Sequence, residues 1–313
     1  MRVFVTGASG TIGKAVVKEL LSHGHQVLGL ARSDAAAKQL KDLGAEVQHG
    51  TLTDLDILKK AASECDGVAH LAFVHNMQDY IGSCAVDRAA IAAIGSALES
   101  AGGNRAFVIS SGTSLVANGQ LATEDRGFDE SDPFRSIRGP AESTALAFAE
   151  KGVRVSIMRL PSVYGEGGLG FVALMLAVAK SKGTIAYLGA GENRWPAAHT
   201  LDVARAYRLA LEIGRTGSVF HLVADEGVRT KDIAEVLARK LDVPVVSISQ
   251  EEALGTLGLM AAAMEIDNPS SSAKTREDLG WAAVQPSLLD FLESGAFLEQ
   301  QETLPSWSQR QNE

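Results

Sequence analysis

Arg2-Val3-Phe4-Val5-Thr6-Gly7-Ala8-Ser9-Gly10-Thr11-Ile12-Gly13 is the stretch that decides the fold. Its first four residues form a short apolar run with β-branched side chains, the composition of a buried strand. The run breaks at Thr6-Gly7, and Ile12, Val16, Val17, Leu20 and Leu21 then recur on one face of a helix. Strand, glycine-rich turn and helix, in that order, open a dinucleotide-binding βαβ unit. The three glycines have separate tasks there. Gly7 permits the tight turn, Gly10 lets backbone N–H groups approach a pyrophosphate, and Gly13 lets the helix lie close to the strand. The phosphates are expected at the positive end of that helix, against Gly7, Ser9, Gly10, Thr11 and Ile12.

The alternation continues outward from this unit. His25–Ala31 reads as a second strand, Ala35–Leu43 as a helix, Ala45–His49 as a third strand and Thr53–Ser63 as a helix. Gly67–Phe73, Asn104–Ser110 and Val153–Arg159 are three further strands, with an alanine-rich helix over Val86–Ser100. Strands alternating with helices in this way predict an α/β fold, a doubly wound parallel sheet of the Rossmann type. Right-handed crossovers then bring every loop that follows a strand to one edge, where the ligand crevice lies. Beyond Gly165 the chain is richer in glycine, with helices over Phe171–Ser181, Leu201–Ile213 and Lys231–Leu241 and strands over Gly217–Val223 and Val245–Ser249. We therefore expect a dinucleotide-binding region over 1–165 and a smaller C-terminal substrate lobe over 166–313, within one structural unit. The tail after Leu298 is polar and is expected to fray.

Composition narrows the class. With 313 residues, 46% hydrophobic and 21% charged, the chain can bury a sizeable core. A net charge of −9 without any lysine–arginine cluster argues against a nucleic-acid partner. The two cysteines, Cys65 and Cys84, lack metal-ligand spacing, so free thiols and no bound metal are expected. No apolar run is read as a membrane span and no signal peptide precedes the first strand, which points to a cytoplasmic protein with no membrane partner.

Cofactor choice is read at the end of the second strand, Arg32-Ser33-Asp34. A carboxylate at that place suits the ribose of NAD, whereas a guanidinium and a hydroxyl suit the 2′-phosphate of NADP. NADPH is the expected cofactor and NAD the weaker alternative, unless Arg32 is an ordinary surface residue. Asp34 is expected to cap the following helix.

Thr6-Gly7-Ala8-Ser9-Gly10-Thr11-Ile12-Gly13, with its Gly-x-x-Gly-x-x-Gly spacing, resembles the extended short-chain dehydrogenase/reductase superfamily, which includes sugar-nucleotide epimerases and dehydratases. His199-Thr200-Leu201-Asp202-Val203-Ala204 and Leu279-Gly280-Trp281 are similar to landmarks of that superfamily's C-terminal lobe, so the resemblance covers nearly the whole chain. It implies that Asp54, with Leu55 beside it, meets the adenine amino group, although Asp54 also suits a helix N-cap. It implies that Leu71 and Ala72 pass under the cofactor ribose, that Ser110 at the end of the fifth strand binds the cofactor, and that Pro161 and Val163 contact the nicotinamide carboxamide. His70 is read as a packed residue. The superfamily pairs the helices that correspond to Val86–Ser100 and Glu142–Glu150 across a two-fold axis, which implies a homodimer.

The resemblance fails where the chemistry should be. Such enzymes use a serine after the fifth strand and a Tyr-x-x-x-Lys pair, whose lysine lowers the tyrosine pKa. Ser111 matches the serine, with Thr113 nearby. No tyrosine lies between Ser111 and Arg159; counting back from Arg159 and Glu142 puts Phe134 and Arg138 at the pair's positions. Phenylalanine has no proton to give and a guanidinium is no acid at neutral pH. Pro140 suits a helix start, which would leave Arg138 just before that helix. The candidate catalytic groups are Ser111, Thr113, Arg138 and Tyr164, the last matching a tyrosine of mostly structural role; Tyr80 and His75 follow the fourth strand as further candidates. The expected function is NADPH-dependent reduction of a small carbonyl compound by an atypical active site. A non-catalytic NADP-binding sensor or regulator, and a nucleotide-sugar epimerase or dehydratase, stand as alternatives.

Overall fold

Strand β1 (Arg2–Thr6) is enclosed from its second residue onward, as its apolar run requires. In the computed structural model, which describes residues 1–116 and 119–301, it is followed by β2 (Gln26–Ala31), β3 (Glu46–His49), β4 (Gly67–His70), β5 (Ala106–Gly112) and β6 (Arg154–Leu160). The intervening helices are α1 (Thr11–Ser22), α2 (Asp34–Asp42), α3 (Leu55–Ser63), α4 (Tyr80–Ala101), the single turn α5 (Arg135–Arg138) and α6 (Pro140–Leu146). The second half adds β7 (Ser162–Gly165), β8 (Gly168–Leu169), α7 (Val172–Lys182), β9 (Ile185–Leu188), β10 (Arg194–His199), α8 (Thr200–Ile213), β11 (Ser218–His221), β12 (Asp225–Arg229), α9 (Thr230–Leu241) and β13 (Val245–Ile248). The fraying expected after Leu298 concerns residues that lie, past Gln301, outside the described ones.

The main sheet has seven strands in the order β11-β6-β5-β4-β1-β2-β3, and every pairing in it is parallel. Order reverses between β1 and β4, the switch point at which a doubly wound sheet opens its crevice. One face is covered by α1, α2 and α8, through Val16, Leu20, Leu40, Val203 and Tyr207. The other is covered by α3, α4 and α6, through Leu58, Ile91, Ile94 and Ala145.

The boundary drawn at 165 divides the chain in sequence but not in space. Strand β11 comes from the second half and pairs with β6, while α8 packs on α1. Conversely, β7 precedes that boundary yet pairs with β10 and β8 in a separate sheet, ordered β12-β10-β7-β8. That sheet and the β13-β9 pair build the smaller lobe, whose core holds Tyr164, Met175, Trp195, Leu237 and Phe291. Its two landmark segments hold each other. Trp281 Nε1 donates to the Asp202 carbonyl at 2.9 Å, and the Asp202 carboxylate accepts from the amides of Val284 and Gln285.

Two expectations change at α4. The helix starts at Tyr80 instead of Val86, because Asp79 caps it by accepting from Gly82 N at 2.9 Å. Met77–Ala101 is also long and apolar enough to cross a membrane, contrary to the reading that no run is. In the fold this stretch is a core helix, packed against α3 and α6.

Candidate active site

The glycines at the cofactor end are constrained by their neighbours. Gly7 has φ +67°, and a Cβ on it would stand 2.8 Å from Ala72 N. A Cβ on Gly13 would stand 2.0 Å from the Gly7 carbonyl oxygen, so no side chain fits between helix and turn. Gly10 donates to Gly7 O at 2.9 Å and leads into α1 in extended conformation. Helix α1 has no side-chain cap and no acidic residue in its first turn. Its first amides are therefore left for an anion. The residues fit a dinucleotide pyrophosphate. Thr11 would offer such a group its amide alone, since its Oγ1 donates to Gly167 O at 2.9 Å and so ties down the loop after β7.

Farther along the crevice, Arg32 is exposed and forms no ion pair among the described residues. Ser33, not Asp34, caps α2: its Oγ accepts from Ala36 N at 3.2 Å, which leaves its own proton free. Asp54 stands at the N-cap of α3 but makes no capping bond. Its carboxylate reaches back to accept from Thr51 N and Thr51 Oγ1, both at 2.8 Å, and these bonds hold its pKa below the usual carboxylate range. Leu55 opens α3, and Ala72 N donates to Thr6 Oγ1 at 3.2 Å, which fixes Leu71-Ala72 beside the glycine turn. Pro161 links β6 to β7, and Val163 pairs with Ala198.

At the ends of β1, β4 and β5 lies a buried polar chain. Thr6 Oγ1 lies 2.9 Å from His70 Nδ1, and His70 Nε2 lies 3.1 Å from Asp87 Oδ1. Arg138 Nη1 donates to Asp87 Oδ2 at 2.6 Å and Nη2 to Ser110 O at 3.2 Å, with the guanidinium 4.7 Å over the Phe73 ring. Burial favours the neutral acid at Asp87, but the His70 bond and the Arg138 charge prevail and keep its pKa low. Arg138 therefore reaches the end of β5 although it precedes Pro140. Gly139 continues the right-handed helical backbone between α5 and α6, and the Phe128 ring fills the space where its Cβ would be.

A second buried network takes up the expected serine. Ser111 Oγ donates to Glu142 Oε1 at 2.6 Å, and Glu142 is held by Arg159 through Nε at 2.9 Å and Nη2 at 2.7 Å. The one Ser111 proton thus points into the protein rather than toward a substrate. Thr113 is 2% exposed and donates to Leu160 O at 3.4 Å. Ser110 Oγ donates to His70 O at 2.9 Å and lies 2.6 Å from the Tyr207 hydroxyl. Tyr164 is not in the crevice: its hydroxyl donates to Pro286 O at 2.6 Å, its ring packs on His199 and Phe291, and burial pushes its pKa up. Phe134, at the tyrosine's place, is 51% exposed and stacks on Tyr80 with centroids 4.3 Å apart. Burial likewise raises the Tyr80 pKa. Sequence reasoning missed Asp87, whose signal is a carboxylate set among small and apolar residues in the first half of an alanine-rich helix.

The sequence profile of the NAD dependent epimerase/dehydratase family matches residues 3–222. The chain belongs to that family. An uncharacterized protein of Schizosaccharomyces pombe is 44% identical over 299 residues, 95% of this chain and 100% of its own length. A 4-hydroxy-2-methyl-3-oxo-4-farnesyl-3,4-dihydroquinoline-1-oxide ketoreductase of Stigmatella aurantiaca is 25% identical over 300 residues, 91% of this chain and 82% of its own. A dTDP-glucose 4,6-dehydratase of Streptomyces venezuelae, solved with NAD, superposes with a TM-score of 0.77 at 19% identity, covering 97% of this chain and 99% of that one. At that identity the likeness shows the fold alone. Membership of the epimerase/dehydratase family makes this an NAD(P)-dependent enzyme of the oxidoreductase type.

Proposed function

We propose that this protein reduces small ketones or aldehydes with NADPH. The observation that carries the reading is Arg138, a cation fixed at the end of β5 by Asp87 and the Ser110 carbonyl. Two of its five N–H groups are taken by these partners, so donors remain for an oxygen in the crevice. A permanent charge there stabilises the oxyanion that forms as a carbonyl is reduced. Epimerisation and dehydration start instead by removing a proton from an alcohol, and neither Phe134 nor Arg138 is a base.

Bound NADPH supplies the hydride. The first amides of α1 neutralise the pyrophosphate, and ionised Asp54 accepts from the adenine amino group. Exposed Arg32 and the free proton of Ser33 favour a 2′-phosphate. Leu71 and Ala72 would hold the ribose, and Pro161 and Val163 the nicotinamide. The ketoreductase among the relatives supports the same class of reaction.

The test follows NADPH absorbance as acetophenone, benzaldehyde and diacetyl are added. Oxidation in step with alcohol formed is the expected result. Tight NADPH binding with no oxidation across the panel would favour the sensor. Interconversion of a nucleotide sugar without net cofactor change would favour an epimerase or dehydratase.

A further inference from the structure

Four hydroxyl-bearing residues leave the end of β5 together, and their hydrogen bonds separate them. Ser110, Ser111 and Thr113 donate to His70 O, Glu142 and Leu160 O, so each of those protons is committed. Ser114 differs. Its hydroxyl makes no hydrogen bond among the described residues, and the residue is partly exposed.

Its surroundings are open on the side that matters. A Cβ on Gly112 would meet Ser114 Oγ at 3.4 Å, and the next nearest atom, Leu160 O, would be 3.9 Å away. Gly112 thus leaves room for a methyl-sized group at the end of the strand, and the Ser114 hydroxyl borders it. The turn that carries Ser114 is held firmly. Arg135 Nε donates to Ser114 O at 2.8 Å, Val116 N donates to Thr113 O at 3.1 Å, and Arg135 pairs with Asp129 at 3.2 Å. The one turn α5 therefore grips both ends of this segment, with Arg138 on Ser110 and Arg135 on Ser114.

We infer that Ser114 is the hydroxyl that donates a hydrogen bond to the substrate's carbonyl oxygen in the space over Gly112. This rests on the reductase reading. In that reaction the hydride, with its electron pair, passes from reduced nicotinamide to the carbonyl carbon. The carbon–oxygen π pair moves onto oxygen, and a proton from water completes the alcohol as oxidised nicotinamide is left. Ser114 keeps its own proton and stabilises the charge on oxygen.

Ser114→Ala, Ser114→Thr and Ser111→Ala decide the matter, each checked for parental unfolding temperature and NADPH affinity. Ser114→Ala is expected to lower kcat for acetophenone by about 10²-fold, the usual effect of losing an oxyanion donor, while Ser114→Thr retains most of it. The second readout needs no turnover. Isotope-edited infrared spectra of acetophenone bound with NADP⁺ should show the carbonyl stretch lowered in the parental protein and in Ser114→Thr, and relaxed in Ser114→Ala. Parental turnover together with an unshifted stretch in Ser114→Ala would overturn the inference and leave the reductase reading intact. A parental protein that binds NADPH and reduces none of the carbonyl panel overturns the reductase reading itself, and the role of Ser114 falls with it.

Discussion

His221 shows how a single enclosed ring ties stability to pH. Its Nδ1 lies 3.0 Å from the Ser271 carbonyl, and its Nε2 lies 3.4 Å from Arg159 Nη1. Burial, and then the Arg159 charge, push its pKa from 6.5 down to about 4. The unfolded chain takes up the proton first as pH falls, so stability is full above about pH 6.5 and is lost between there and about pH 4. The shift corresponds to roughly 3 kcal/mol. Urea unfolding across that range should show the parental protein losing about this much more stability than His221→Gln. We propose that Arg32 sets cofactor choice: Arg32→Ala should erase most of an NADPH-over-NADH preference of about 1–3 kcal/mol, measured by titrating both cofactors. Equal affinities in the parental protein would refute it. At this scale the sequence is readable where the constraint is local, as at Gly7 and Gly13. The bond from Ser111 to Glu142 could not be read there, because the carboxylate lies thirty-one positions on.

Elements obey the same division between near and far causes. Helix α1 sits against β1 because Gly13 carries no Cβ, and an added methyl would lie 2.0 Å from the Gly7 carbonyl oxygen. Gly13→Ala should therefore lift the helix from the turn, cost about 1–3 kcal/mol in urea unfolding, and weaken NADPH at least about tenfold. An unchanged dissociation constant would count against the close-packing role. Five of the six alternating strands were legible because each carries its own apolar run, while β3, Glu46-Val47-Gln48-His49, was legible only from its place in the alternation. The five strands of the second half that went unread, β7, β8, β9, β10 and β12, lie in glycine-rich sequence and are defined by partners distant in the chain. Tyr164 in β7, for example, faces His199 in β10 across a parallel pairing. The early start of α4 was hidden by Gly82 and Ser83, weak helix formers that Asp79 overrides by capping.

Assembly is a question for the whole molecule. We propose a homodimer through α4 and α6, the helices that the superfamily pairs across a two-fold axis. Part of their small-residue surface already serves the monomer, since the Phe148 ring fills the space beside Gly95. Ala85 and Ala89 remain exposed, and Ile81 is 65% exposed. Light scattering at micromolar concentration should give twice the chain mass, and Ile81→Glu should shift it toward one; a monomeric mass for the parental protein would rule the contact out.

The return of the chain to its first sheet has a consequence for synthesis. A ribosome releases the amino end first, so β1 to β6 emerge well before α8 and β11, which finish at Ile213 and His221. Until then the face of α1 that α8 will cover has no lid, and β6 presents a bare edge. The nascent chain must carry that sticky surface across the translation of some sixty residues, counted from Leu160 to His221. A pause in that window lengthens the exposure, and a chain released there is one for chaperones and proteases to claim.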